Sequence, residues 1–204
     1  MNELKLPPEL ENIIDFFTKL SGVGAKTASR YALEVIQWTE QEQKLFSESL
    51  NTLTEEIGLC DVCGSMRNKS ECTNCNKDQD IICVLAMFKH AMQLAQSKCF
   101  AGTYHILGGH ISPIKGVGVE DLRIEALKKR LTENTKEIVL AFDATLEGDA
   151  TAFYLKEMLE DYANSKSIPL QITRLSFGLP MGNSMEYIDG VTMGYAFNTR
   201  KRFT

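Results

Sequence analysis

LSGVGAKTASR, Leu20 to Arg30, is the stretch on which the reading of the first domain turns. Glycines followed by lysine and threonine have the composition of a phosphate-holding loop, and two such loops belong to different folds. A nucleotide-binding P-loop joins a strand to a helix, with glycine directly before its lysine and another glycine five places earlier. Here Ala25 precedes Lys26, and Leu20 stands where the earlier glycine belongs. The lead-in carries Leu10, Ile13, Ile14, Phe17 and Leu20 at spacings of three and four, a helical stripe rather than a strand. The P-loop reading fails on each requirement.

What remains is helix, tight turn, helix. Gly22 and Gly24 are expected to take positive φ in the turn, leaving amides of the turn and of the next helix facing outward. Such amides hold a phosphate with the help of the helix dipole. Lys26 and Arg30, four apart, share a helix face and can flank the same sugar-phosphate chain, a contact that positions without reading sequence. Gly22, Gly24, Lys26, Thr27 and Arg30 are therefore the candidate DNA contacts. An ordinary helix corner with glycine as C-cap has similar composition. The basic placement favours the phosphate: Lys19 to Arg30 holds three basic residues and no acidic one.

Around this stretch, residues 1–57 read as a helical domain. Pro7 and Pro8 precede the first stripe, Ala28, Tyr31, Ala32, Val35 and Ile36 repeat it, and Leu45, Leu50, Leu53 and Ile57 mark a third helix. The stripe of Ile13, Ile14 and Phe17 suits either one chain's core or a contact between two copies.

Residues 58–77 are too short and polar to make a core. They contain CDVCGSMRNKSECTNC, in which Cys60, Cys63, Cys72 and Cys75 form two Cys-x-x-Cys pairs. Zn²⁺ prefers four such thiolates in a tetrahedron, and four protein ligands leave no open position, so a structural Zn²⁺ is expected, one per chain. Cys83 and Cys99, beside apolar neighbours, are expected as buried small hydrophobes. His90, His105 and His110 show no ligand spacing and are assigned no role.

Residues 78–176 alternate strand and helix: IICVL, MFKHAMQLAQ, YHILGG, VEDLRIEALKKRLTEN, EIVLAF, DATAFYLKEMLEDYA, LQITRLS. The order predicts α/β architecture with a largely parallel sheet covered by helices. AFDATLEGDATA puts Asp143 at a strand end, with Glu147 and Asp149 expected before a helix. Residues 177–204 form a short C-terminal segment whose Arg200, Lys201 and Arg202 are read as a solvated end.

Over 204 residues the chain is 44% hydrophobic and 24% charged, with net charge −5 and pI near 5.3. Residues 1–58 hold 5 basic against 10 acidic side chains. This excludes a strongly basic nucleic-acid coat protein; DNA contact must come from local clusters and be salt-sensitive. No apolar run reaches the roughly 20 residues that span a bilayer. The N-terminus lacks an apolar signal core, so a cytoplasmic location with reduced or metal-bound cysteines is expected.

The acidic strand end resembles the Toprim fold of topoisomerases, primases and nucleases. An active site of that kind needs a glutamate after the first strand and a later Asp-x-Asp, yet ICVL runs into Ala86, Met87 and Phe88. The succession LSGVGAKTASRYA, CDVCGS…CTNC, YHILGGHISPIKGVGVEDLRIEAL, TLEGDATAFYL and RLSFGLPMGNSMEYIDGVTMGYAF resembles, over the whole chain, the RecR family of bacterial recombination mediators. That resemblance implies a helix-hairpin-helix domain, a four-cysteine zinc knuckle, a Toprim-like domain and a C-terminal oligomerisation segment. It implies a non-enzymatic ring or clamp, a homo-dimer or tetramer without membrane contact, that binds DNA regardless of sequence. A RecO-type mediator, and with it a RecF-type protein, are the implied partners in loading recombinase on single-stranded DNA. Lys26 and Arg30 match the family's DNA-facing basic pair, and Asp143, Glu147 and Asp149 are candidates for the acidic partner surface. Ala86, Met87 and His90 depart from a glutamate-rich strand exit, and Phe177 stands where arginine is common. The alternatives are a Mg-dependent Toprim nuclease or primase with an atypical acidic site, and a zinc-stabilised interaction module without a DNA role.

Overall fold

The computed structural model describes residues 5–69, 71–75, 80–176, 178–179, 182, 184–200 and 202. Phe177, Lys201 and the knuckle's last positions, 76 and 77, lie outside the described residues. The chain divides into two units, Met1–Glu56 and Ile57–Thr204.

The first unit has three helices: α1 Pro8–Thr18, α2 Ala25–Ile36 and α3 Glu40–Glu56. Proline at the first helical position suits α1, because its missing N–H would have no partner there. Ala28 and Ala32 are the buried residues of α2, small enough to let α1 approach, and Phe17 meets Tyr31 edge-to-face at 5.9 Å. Thr39 and Glu42 close a capping box ahead of α3: the Thr39 amide donates to Glu42 Oε2 at 2.8 Å, and the Glu42 amide returns to Thr39 Oγ1 at 3.3 Å. The Thr39 amide and hydroxyl, both donating to Glu42 Oε2, hold its carboxyl below the usual range. Ile57, expected in the third helix, instead begins a strand.

The second unit opens with a short antiparallel pair, β1 Ile57–Leu59 and β2 Met66–Asn68, that carries the first two cysteines in its turn. Four parallel strands follow: β3 Ile81–Leu85, β4 Thr103–Ile106, β5 Glu137–Ala141 and β6 Gln171–Arg174, in the order β4-β3-β5-β6. Alternation sorts their side chains. Ile82, Val84, Ile138 and Leu140 join Leu127, Leu155 and Leu159 in one core, whereas Cys83, Leu85 and Ala141 join Ala91 in another. The sheet is thus covered by α5 Ile124–Arg130 and α6 Leu146–Lys166 on one face and by α4 Phe88–Ser97 on the other. The α/β fold with a parallel sheet is as the sequence indicated.

Two helices differ from expectation. α5 is shorter than VEDLRIEALKKRLTEN, since Asp121 Oδ2 accepts from the Gly118 amide at 2.8 Å and the Arg123 amide donates to Leu107 O at 2.9 Å, holding the preceding segment in turns. α6 begins earlier, capped by Thr145, whose Oγ1 accepts from the Gly148 amide at 3.1 Å. Glu147 and Asp149 therefore sit inside the first turn of α6 and not before it, where their charges complement the helix dipole. Cys99 is exposed beside Ser97, contrary to expectation, because α4 ends at Lys98 in a left-handed cap that turns it outward. The C-terminal segment folds into α7 Gly190–Asn198, capped by Asp189.

Candidate functional site

The turn between α1 and α2 is closed by the Val23 amide donating to Leu20 O at 3.1 Å. Gly22 has φ +82 there, a conformation that favours glycine. Gly24 does not: it is the extended N-cap of α2, at φ −83 and ψ 167. Its contribution is the absence of a side chain. No side-chain oxygen caps α2, and the helical ladder starts only with the Ala28 amide donating to Gly24 O at 2.9 Å. The amides of Ala25, Lys26 and Thr27 thus come without an intrahelical acceptor, at the positive end of the dipole. Lys26 and Arg30 are exposed and Thr27 is half-buried. The Arg30 guanidinium lies 5.3 Å from the Tyr31 ring centre, and Lys19 Nζ 4.6 Å from that of Phe16. All five candidate contacts meet in one turn and the first two turns of α2.

The four cysteines converge as well. Cys60 and Cys75 Sγ are 3.6 Å apart, as are those of Cys63 and Cys72, and all four sulfurs lie within 4.8 Å of one another. Zn–S bonds of about 2.3 Å place tetrahedral sulfurs about 3.8 Å apart, so the group fits a tetrahedral ion. Burial alone would raise the Cys60 thiol, but the amides of Cys63 and Val62 and the neighbouring thiols bring it down to about 7. Burial raises Cys63, and Cys75 is pushed up by burial and by its neighbours. Without a metal these sulfurs would share protons; four thiolates together require a cation.

The knuckle is docked on the sheet. The Ile106 amide donates to Cys63 O at 2.7 Å, and Arg123 Nη1 donates to Cys60 O at 3.3 Å. Gly64, at φ +71, lies so close that a Cβ would stand 2.3 Å from Ile106 O.

Beneath, Arg130 donates to Tyr104 O, Thr103 Oγ1 and His105 Nδ1 at 2.8, 3.1 and 3.3 Å. Since Nδ1 must accept, His105 carries its proton on Nε2 and donates to Arg123 O at 2.9 Å. Burial, reinforced by Arg130, lowers the His105 pKa from 6.5 to about 4. The unfolded chain therefore binds a proton here that the folded chain refuses. Stability contributed by neutral His105 is complete above pH 6.5 and lost as pH falls towards 4, up to about 3 kcal/mol. The urea midpoint should fall across that window, and the His105 ring resonance should titrate only near its lower end.

At the carboxyl edge of the sheet the acidic candidates separate. Asp149 is engaged by Arg174 of β6 and by the Tyr195 hydroxyl of α7, the latter at 3.5 Å. Glu147 faces Lys115 at 3.8 Å. Asp143 stands apart from both, flanked by His90 at 3.9 Å and His110 at 3.8 Å. The histidines were invisible as a group in the sequence, being twenty residues apart and far from Asp143. No helix among the described residues is long and apolar enough to cross a membrane.

A parallel sheet with this acidic carboxyl edge is that of a Toprim domain, and residues 80–175 match the Toprim domain family profile. Residues 178–201 match the profile described as RecR, C-terminal. Curated proteins named Recombination protein RecR are similar over nearly the whole chain. That of Paenarthrobacter aurescens (strain TC1) is 38% identical over 94% of this chain and 96% of its own length. That of Chlamydia pneumoniae is 38% identical over 98% and 99%, and that of Thermobifida fusca (strain YX) 39% over 94% and 96%. The chain belongs to the RecR family of recombination proteins.

Proposed function

We propose that this protein is a non-enzymatic recombination mediator that grips DNA through the α1–α2 hairpin, regardless of sequence, as a homo-oligomer. The observation that carries the reading is the uncapped start of α2, with exposed Lys26 and Arg30 on the same turns. Amides and two cations suit a phosphate, and nothing in the turn offers a pattern that reads base edges. One such site on an acidic chain binds weakly, and several copies in one particle raise avidity without new contacts.

Oligomerisation is supported by the first unit's surface. Phe16, Leu33, Leu45, Leu50 and Leu53 are each more than half exposed, while the buried residues described in the three helices are alanines. A groove of about 470 Å³ runs between the helices, lined by Leu10, Ile13, Phe17, Val35, Phe46 and Leu50. Such a surface calls for another copy to cover it.

The metal on the cysteines is proposed to be a structural Zn²⁺, one per chain, on the sulfur spacing and the all-thiolate set. A RecO-type protein, with a RecF-type protein beside it, is proposed to dock on the sheet edge, where Asp143 and Glu147 stand near Leu146 and Ile114, exposed at 88% and 98%. Recombinase loading on single-stranded DNA follows from that pairing. Mediation without chemistry is favoured by β3, which runs out into Ala86 and Met87 with no carboxylate, and by Arg174 occupying Asp149.

Replacing Lys26 and Arg30 together by alanine tests the reading. Both are exposed, so the circular dichroism spectrum and melting curve should not change. DNA affinity should fall at least tenfold, and the salt slope should shrink by about 1.5 per engaged chain, two phosphate contacts being lost. A double variant that binds DNA like the parent overturns the assignment.

A further inference from the structure

Arg130 is a half-buried cation whose hydrogen-bond partners are all neutral. Its guanidinium donates to the Tyr104 carbonyl, the Thr103 hydroxyl and His105 Nδ1. Among the described residues no carboxylate forms an ion pair with it, nor with the equally half-buried Arg123. Asp80 lines the same cleft of about 310 Å³, but its carboxylate is engaged by Lys136. A guanidinium drawn out of water is costly unless an opposite charge stands near. The knuckle offers that charge. Val62 and Cys75 line the cleft together with Thr103, Lys129 and Arg130. Burial lowers the Arg130 pKa from its ordinary value, and Cys63, Cys75, Cys60 and Cys72 oppose the fall. Arg123 reaches the knuckle from the other side of His105: its Nη1 donates to Cys60 O, and its carbonyl accepts from His105 Nε2. One hydrogen-bonded chain thus runs from Arg130 through His105 and Arg123 to the backbone of a cysteine.

We propose that Arg130 and Arg123 are the counter-charges of the metal–thiolate group and set how tightly the four cysteines hold their ion. The inference rests on the structural-metal reading above. Four thiolates around a divalent ion keep two negative charges in excess, and two arginines beside them balance that excess. Protonated thiols of a metal-free knuckle carry no such excess, so both arginines favour the loaded state over the empty one. Arg130 carries most of the effect, because its charge is felt at all four sulfurs and no carboxylate competes for it. His105 accepts at Nδ1 and so leaves the positive charge on the guanidinium. Arg123 adds orientation, since a bond to a ligand's own carbonyl is the outer-shell contact that fixes how the ligand is presented. Lys129 is exposed, and water screens its charge.

The test uses the full chain under reducing conditions. Zn²⁺ affinity is read by competition against a chromophoric chelator, and sulfur ligation by the near-ultraviolet charge transfer of a Co²⁺-loaded sample. The parent should hold one equivalent. Arg130→Gln keeps a donor and loses the charge; it should weaken binding at least about tenfold, the size of an outer-shell change. Arg130→Lys keeps the charge and loses the planar fork; it should stay within about threefold of the parent. Arg123→Gln and Arg123→Lys should fall in the same order with a smaller gap. Hydrogen exchange in β3 and β5 reports the fold independently of the metal. Full affinity in Arg130→Gln overturns the proposal, as do equal losses for glutamine and lysine, which would assign the effect to hydrogen-bond geometry rather than charge. Should Arg130→Gln fail to fold, the Arg123 pair decides alone. A parent that binds no metal through its cysteines overturns the structural-metal reading and this inference with it. A metal-binding parent with indifferent variants overturns this inference alone.

Discussion

Stripping the metal from the four cysteines under reducing conditions should unfold the segment from Ile57 to Cys75 and leave the parallel sheet standing. Apart from the cysteines, that segment has little to bury: Leu59, Val62 and Met66 are all about half exposed. Its order is therefore expected to depend on a bound ion; structural zinc on such cysteines is worth about 10–16 kcal/mol in isolated knuckles. The sheet has its own core of Leu107, Leu127, Ile138, Leu155 and Leu159 and does not need the knuckle. Hydrogen exchange at the Cys60, Gly64 and Ile106 amides, bonded to Ser65 O, Cys60 O and Cys63 O, should therefore accelerate by orders of magnitude. Amides of β3 and β5 should keep most of their protection. Cys63→Ser should mimic the chelator most closely, since Cys63 is fully buried and its carbonyl anchors the knuckle to β4. Acid works in the same direction: protons compete with the metal for the thiolates, so metal affinity should fall as pH falls. Unchanged exchange and melting in the metal-free chain would contradict this account.

The second large effect is Gly64→Ala. The added methyl would stand 2.3 Å from Ile106 O and 2.9 Å from Arg123 Cδ, and the residue would keep φ +71. The arginine carbon can yield; the strand carbonyl cannot. The knuckle must lift from β4, which stretches the bonds from Ile106 N to Cys63 O and from Arg123 to Cys60 O. Left-handed backbone costs about 1 kcal/mol and overpacking about 1–3 more, so a loss of about 3 kcal/mol is expected. Gly22→Ala is the control, because Gly22 has φ +82 with open space around its Cβ position. It should cost only the backbone term of about 1 kcal/mol. Equal losses in urea denaturation would show that close approach at Gly64 is not what makes glycine necessary there.

Legibility in the sequence followed the range of the interactions involved. The strands stood out because a sheet covered on both faces needs continuous apolar runs, and IICVL and EIVLA are such runs. The cysteine pairs were legible because a metal imposes short spacings. Features set by distant partners were not. α6 starts with LEGD, whose glycine and two acidic residues read as a turn until Thr145 is seen to cap the helix. Gly24 was expected at positive φ by analogy with Gly22, although an N-cap is extended and only Gly22 lies in the tight bend. Asp149's engagement with Arg174 and Tyr195 joins residues far apart in the chain. The meeting of His90, His110 and Asp143 arises only because parallel strands bring their carboxyl ends to one edge.

The thinness of the first unit's interior has a consequence for regulation. Helices whose apolar side chains are mostly wet gain little free energy from folding alone, so covering that surface and forming the hairpin become linked equilibria. Protein abundance then acts as a thermodynamic input. Dilution would loosen the turn proposed to hold phosphate, and on that proposal DNA binding would rise with total protein along a curve steeper than simple mass action on one pre-folded subunit.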